Sequence, residues 1–308
     1  MEGAACPRGS RVSQPSYLDR LESEAIQILR EGVAEAERPV LLFSGGKDST
    51  VLAHLALRAF YPAPPPLPLL HVDSTWEFRD VLDFRTRFAA QHRFELIIHH
   101  NEAGRIAGLN PLKDGAKYTT QMRTEPLKEA LDLGKFDVIF GGARRDEEAS
   151  RAKERIVSVR SAGHGWDPKR QRPELWANYN WRRAPGQTLR VFPLSNWTEF
   201  DLWAWILTRN ISLCSLYFAA DRPVITRDGQ LIVVDDPARA RRVGLPEPET
   251  RKVRFRSLGC WPVTAAHESG ADSLSAIVKE TLQSLRSERN GRIGDAGSLE
   301  NQKREGYF

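Results

Sequence analysis

Two stretches of this chain carry residue types suited to holding anions. The first is Ser44-Gly45-Gly46-Lys47-Asp48-Ser49. Glycines bring main-chain N–H groups close to a ligand with no Cβ in the way. Lys47 adds a compact positive charge on a long stem, and the hydroxyls of Ser44 and Ser49 can donate to phosphate oxygens. Asp48 has two open roles, orienting the loop or binding a divalent cation. The second stretch is Gly141-Gly142-Ala143-Arg144-Arg145-Asp146-Glu147-Glu148. Arg144 and Arg145 can each grip phosphate or sulfate oxygens with two parallel hydrogen bonds. Downstream, Glu147, Glu148, Arg151 and Arg155 have the spacing of ion pairs on a solvated helix face. Asp73 is a third candidate, with a turn or helix-cap role as its plain alternative.

These residues need elements to present them. Val40-Leu41-Leu42-Phe43 before the first loop reads as a buried strand. Thr50, Val51, Leu52, Ala53, Leu55, Ala56 and Leu57 after it read as the inner side of a helix. Strand, glycine turn and helix together aim free N–H groups and a helix N-terminus at one point. The loop is not a Walker A motif, which would need glycine at position 41, where Leu41 stands. Tyr17, Leu21, Ala25, Ile28 and Leu29 recur at helical spacing and predict a helix over 17–35. Further helices are expected over 48–60, 78–92 and 123–133, the last with Pro126 in its first turn. Strands are expected over 67–72, 95–99 and 137–140, with a proline-rich connector at 62–66 and a long loop at 100–121. This alternation predicts a parallel α/β sheet with helices on both faces. In such sheets ligands lie beyond the carboxyl ends of the strands, where Asp73 and both glycine loops fall.

The chain changes character after residue 161. Residues 163–187 are rich in Trp, Pro, Arg and Asn and show little periodicity. A short strand at 189–193 and a helix over 198–208 capped by Thr198 follow, with Trp203 and Trp205 as packing residues. Residues 224–227 and 231–234 flank Asp228-Gly229 and predict a hairpin. Cys260 reads as a small buried hydrophobe, and 273–287 as a last amphipathic helix. The expected divisions are a disordered segment 1–16, a nucleotide-binding α/β domain 17–161, a less regular region 162–287 with substrate and partner contacts, and a polar tail 288–308.

The 308 residues carry a net charge of +5 with a pI near 9.2. Basic clusters at 144–160, 169–172, 239–242 and 251–256 come with no nucleic-acid-binding signature, so small polyanions are the expected partners and nucleic acid is not. Cys6, Cys214 and Cys260 are too far apart in sequence for a zinc ribbon or disulfide framework, which fits a reducing cytosol. No apolar run reaches membrane-spanning length, and the first sixteen residues lack the apolar core of a signal peptide, so no membrane is expected.

The first loop resembles the pyrophosphate loop of the ATP-pyrophosphatase superfamily, whose members cut ATP between its α and β phosphates. More of the chain resembles one family within it. The matching stretches are His71-Val72-Asp73-Ser74-Thr75-Trp76-Glu77-Phe78, residues 140–155, Trp166-Asp167-Pro168-Lys169, Arg172-Pro173-Glu174-Leu175-Trp176, residues 192–197 and the terminal Gly306-Tyr307-Phe308. Together they look like the small, catalytic subunit of bacterial sulfate adenylyltransferase, over nearly the whole chain. Ser212 and Ser215 stand where that family often has proline, and the tail between Arg292 and Ser298 is shorter than usual. The resemblance implies a Rossmann-like, adenine-nucleotide α-hydrolase-like fold. It implies a reaction in which ATP and sulfate give adenosine 5′-phosphosulfate and pyrophosphate, with Mg²⁺ bridging phosphates and a GTPase large subunit as partner. Ser44 to Ser49 would then cradle the β and γ phosphates, joined by Gly141 and Gly142. Lys47 would neutralise developing charge, Arg144 and Arg145 would meet sulfate or the α phosphate, and Asp73 would lie near the nucleotide or its metal. The alternatives are a phosphoadenylylsulfate reductase, which needs a nucleophilic cysteine near the C-terminus, and a tRNA-modifying ATP pyrophosphatase.

Overall fold

The computed structural model describes residues 14–283. Most of the expected N-terminal disordered segment, the end of the last expected helix and the 288–308 tail with Gly306-Tyr307-Phe308 lie outside the described residues. Helix α1 (Tyr17–Ala34) opens with a capping box between Ser16 and Asp19 and buries Leu21, Ala25, Ile28 and Leu29. Strand β1 (Pro39–Leu42) runs through the glycine loop into α2 (Lys47–Phe60). Then come β2 (Leu69–Val72), α3 (Arg79–Gln91) and β3 (Leu96–His99).

Residues 100–121 are not the open loop expected. They fold into α4 (Glu102–Ile106) and α5 (Pro111–Thr119), which continues into a π-helix at Thr120–Thr124. The start signals are present: Asn101 and Asn110 cap the two helices with their side-chain oxygens, and Pro111 fills a first-turn position. Gly104, Gly108 and Gly115 interrupt the apolar period and mask the helices in the sequence. Next are α6 (Glu125–Gly134), β4 (Val138–Phe140), α7 (Ala149–Ala152) and β5 (Val157–Arg160). Strand β6 (Thr188–Val191) precedes α8 (Glu199–Thr208).

The six strands form one sheet in the order β3-β2-β1-β4-β6-β5. All neighbours pair parallel except β5 with β6, so the sheet is mixed rather than wholly parallel. The sheet also passes residue 161, because β6 comes from beyond it and inserts between β4 and β5. The outer edge of β5 is covered by side chains. Glu174 accepts from the N–H groups of Ile156 and Val157, and Gln171 from that of Val159.

The remaining chain forms β7 (Ala220–Arg227), β8 (Gln230–Val233), α9 (Pro237–Arg242), β9 (Glu249–Arg254), β10 (Ala265–Glu268) and α10 (Leu274–Gln283). The hairpin at Asp228-Gly229 has positive φ at both residues, as a primed turn requires. It belongs to a small closed barrel, β10-β8-β7-β9, that the sequence reading did not anticipate. The barrel shares one core with the sheet and its helices. Trp203 and Trp205 are fully buried in it, and the Trp205 indole donates to Glu22 Oε2 at 2.9 Å.

Two histidines of this core fold in the neutral form. Burial, with His92 adding to it, lowers His54 to about 4; burial and Arg85 lower His71 to about 4. The ordinary value is 6.5. Below that pH the unfolded chain takes up protons that the folded chain refuses, so stability is lost as pH falls from 6.5 towards 4. Urea unfolding at pH 7.0 and pH 5.5 should give a lower free energy at the lower pH, by up to about 1.4 kcal/mol per unit for each histidine. In His54→Gln the slope should become shallower, whereas an unchanged slope would mean that His54 titrates alike in the folded and unfolded chain.

Candidate active site

The site starts from the chain reversal after β1. Gly45 has φ +74°, and a Cβ there would meet Val81 Cγ1 at 2.9 Å, so both conformation and space demand glycine. Gly46 ends the turn as the N-cap residue of α2. Ser49 Oγ donates to the Gly46 carbonyl at 3.0 Å and lies 3.2 Å from Ser44 Oγ, which pins the turn from inside. The main-chain N–H of Lys47 donates to the Tyr217 hydroxyl at 2.8 Å. Tyr217 is itself buried, and burial pushes its phenol well above the usual range.

Asp48 joins the two sequence-predicted stretches. Its Oδ2 accepts from Lys47 Nζ at 3.0 Å and its Oδ1 from Arg144 Nε at 2.7 Å. Lys47 and Arg144 are each only 1% exposed. Burial alone would raise the Asp48 carboxyl; the charges of Lys47 and Arg144 outweigh it and hold the group far below the ordinary carboxylate range. Gly142 closes the join from above. A Cβ on it would lie 2.9 Å from the Asp48 carbonyl carbon and 3.1 Å from Ser49 N. Gly141 stays in register with the sheet, donating to the Val191 carbonyl at 2.9 Å.

Beside this join opens a cavity of about 270 Å³. It lies where β1 and β4 diverge to opposite sides of the sheet order, the switch point at which open α/β sheets bind ligands. Leu42, Leu70, Val72 and Leu127 give it an apolar side, and Ser44, Asp48, Ser49 and Gly142 a polar one. His71, Glu77 and Arg123 also line it. His71 Nδ1–H donates to the Phe43 carbonyl at 2.8 Å, which leaves Nε2 as an acceptor, buried and without a partner. Glu77 accepts from the N–H of Ser74 at 2.9 Å through Oε1, while its Oε2 is buried without a partner. Burial, with the Asp73 charge adding to it, raises the Glu77 carboxyl.

The sequence-predicted residues are not all brought together. Ser44, Asp48, Ser49 and Gly142 line the cavity, and Lys47 and Arg144 brace the loop beside it. Asp73 does not line it. Its Oδ1 accepts from Thr75 N at 2.8 Å, the turn role held open above, and its Oδ2 lies 3.9 Å from Arg85. Arg145 does not line it either: its guanidinium reaches the Asn196 side chain and lies 3.8 Å from Glu174. Tyr217, His71, Glu77 and Arg123 were missed. His71 and Glu77 stand in a stretch that carries the family resemblance, so a signal for them existed. Tyr217 comes from a segment with no local period, and Arg123 stands at the start of the helix expected over 123–133, where nothing in the sequence marks it as facing a ligand.

Residues 38–266 match the family model of the phosphoadenosine phosphosulfate reductase domain, which defines the class of the fold. The chain is 56% identical to sulfate adenylyltransferase subunit 2 of Citrifermentans bemidjiense, over 96% of this chain and all of that one. It is 54% identical to the subunit 2 of Methylorubrum populi, over 99% of this chain and 98% of that one. Among solved structures, a phosphoadenylyl-sulfate reductase from Candida auris is similar with a TM-score of 0.47 and 15% identity, over 68% of this chain and 93% of that one. Within the reductase-domain class, the chain belongs to the sulfate adenylyltransferase subunit 2 family.

The tight join between the two loops makes a clear prediction. Gly142→Ala should lower the unfolding free energy by about 1–3 kcal/mol, because a methyl group must displace the main chain of Asp48. Gly270→Ala, with open space around it, should change stability by less than about 0.5 kcal/mol. Equal urea midpoints for the two variants would show that the loops do not press on each other.

Proposed function

We propose that this chain is the catalytic subunit of an ATP sulfurylase. It transfers the adenylyl group of ATP to sulfate, giving adenosine 5′-phosphosulfate and pyrophosphate. The carrying observation is the cavity at the switch point, with the Ser44–Ser49 turn on its polar side, in a chain that matches a subunit 2 relative over 96% of its length. The apolar side has the character of a purine pocket, and the turn that of a cradle for the terminal phosphates.

The chemistry is a displacement at the α phosphorus. A sulfate oxygen supplies the electron pair of the new O–P bond, and the bond to the β phosphate breaks with its pair leaving on pyrophosphate. No proton moves, since sulfate is already deprotonated, so no general base is required. Both reactants are anions, and catalysis rests on positioning and on cations placed before the substrates arrive. Lys47 neutralises charge that develops on the leaving pyrophosphate. Arg144 holds Asp48 and through it the loop. Mg²⁺ enters on the nucleotide as part of the substrate. Of the two roles open to Asp48, orienting the loop is the one that its ion pairs with Lys47 and Arg144 support. Arg145, outside the cavity, braces the 174–196 side of the fold.

The product anhydride is strongly uphill, which is the reason to assign the partner subunit as a GTPase whose hydrolysis drives the reaction. Both subunits would work in the cytoplasm. Lys47→Ala, assayed with the partner and GTP, should cut sulfate-dependent pyrophosphate release by about 10²–10³-fold, with the far-ultraviolet circular dichroism unchanged. Wild-type turnover in that variant would refute the role of Lys47.

A further inference from the structure

The cavity contains a cation that neither glycine loop supplies. Arg123 lines it from the short π-helix that joins α5 to α6. Such turns force one residue out of the helical ladder and recur at functional sites. Arg123 Nη2 donates to Cys260 Sγ at 2.8 Å. The same sulfur lies 3.1 Å from the Tyr118 hydroxyl and 3.2 Å from Ser74 Oγ, and Cys260 is 1% exposed.

The protons of this cluster can be assigned. Tyr118 spends its one proton on the Ser74 carbonyl at 2.8 Å, and the Ser74 hydroxyl spends its proton on Glu77 Oε1. Both hydroxyl oxygens are then left as acceptors for the thiol proton, and the sulfur lone pair faces Arg123. A thiol in this setting fixes the direction of the guanidinium, whose charge also acts on the Glu77 carboxylate.

In-line displacement puts the entering and leaving oxygens on opposite sides of the phosphorus. If the Ser44–Ser49 turn holds the leaving pyrophosphate, the incoming anion is met by the wall that the turn does not supply. The cations lining that wall are Arg123 and Arg151. Arg151 Nε lies 3.7 Å from Glu148 and 4.0 Å from Glu147, which tie it to the segment after the second glycine loop, whereas Arg123 comes from a separate element. We propose that Arg123 binds the incoming sulfate and that Cys260 is its positioning residue. This rests on the adenylyl-transfer reading above.

The test is sulfate-dependent exchange of pyrophosphate into ATP, with the partner subunit present, at varied sulfate and varied ATP. Arg123→Gln should raise the sulfate KM by about 10–100-fold, the loss of a charge-assisted hydrogen bond, and move the ATP KM by less than about 3-fold. Arg123→Lys should fall between it and wild type. Cys260→Ala should raise the sulfate KM by about 5-fold, and Cys260→Ser, which keeps an acceptor, should restore most of it. An Arg123→Gln enzyme with the wild-type sulfate KM, or with both KM values raised alike, overturns the assignment. A Cys260→Ala enzyme identical to wild type overturns the positioning role. If the wild-type complex shows no sulfate-dependent exchange at all, the adenylyl-transfer reading fails instead.

Discussion

The structure turns on one half-buried carboxylate shared by two buried cations. Asp48 takes Lys47 on one oxygen and Arg144 on the other. Removing two cations from water is costly, and their attraction to the carboxylate offsets that cost only when the geometry is good. The benefit is placement. Without Asp48, Lys47 and Arg144 would repel each other across a small volume. With it, the loop after β1 and the loop after β4 become one object, and positive charge is set in place before any substrate anion arrives. Preorganisation of this kind spares the reaction the cost of turning dipoles and charges at the moment of bond exchange.

The rest of the fold holds that object still. The apolar strands β1 and β4 lie in register, with Val40 opposite Ile139, so the two glycine loops leave the sheet side by side. Tyr217, between α8 and the barrel, reaches back to the first N–H of α2. The barrel is tied to the turn after β2 by the Glu77–Cys260 bridge, by Trp261 N–H on the Trp76 carbonyl at 2.9 Å, and by the Phe78 and Phe255 rings with centroids 4.9 Å apart. The guanidinium of Arg239 stacks 3.5 Å from the Trp76 ring centre on the same turn. The irregular second half of the chain therefore forms part of the wall around the cavity.

What the sequence made legible follows from what is local. The strand–glycine–helix order around Lys47 depends on neighbours in sequence, and so does the turn at Asp228-Gly229; both were readable. The burial of Trp203 and Trp205 follows from helical spacing and was readable too. The close approach of Gly142 to Asp48 joins residues almost a hundred positions apart, and only the types of residue hinted at it. The insertion of β6 between β4 and β5 left no trace, because strand order is decided by pairings that no local pattern encodes. Arg145 looked equivalent to Arg144 in sequence. One step along the chain turns the side chain to another partner, so Arg144 meets Asp48 while Arg145 meets Asn196 and Glu174. Arg123 was hidden for a different reason: it stands at the start of an expected helix, where nothing in the sequence marks it as facing a ligand.

The charge balance explains why a basic chain need not be a nucleic-acid binder. The chain has 45 Lys and Arg against 40 Asp and Glu, yet the cations at the site stand beside carboxylates. Asp48 serves Lys47 and Arg144, Asp146 lies 3.5 Å from Arg144, and Glu147 and Glu148 flank Arg151. Such an arrangement weakens the long-range field that would draw a polyanionic strand. It favours instead a small ligand that enters the cavity, replaces water around the cations and shares them with the carboxylates already there. Recognition then depends on where each cation is fixed, which is a property of the packing around it, and the net charge of the chain says little about it.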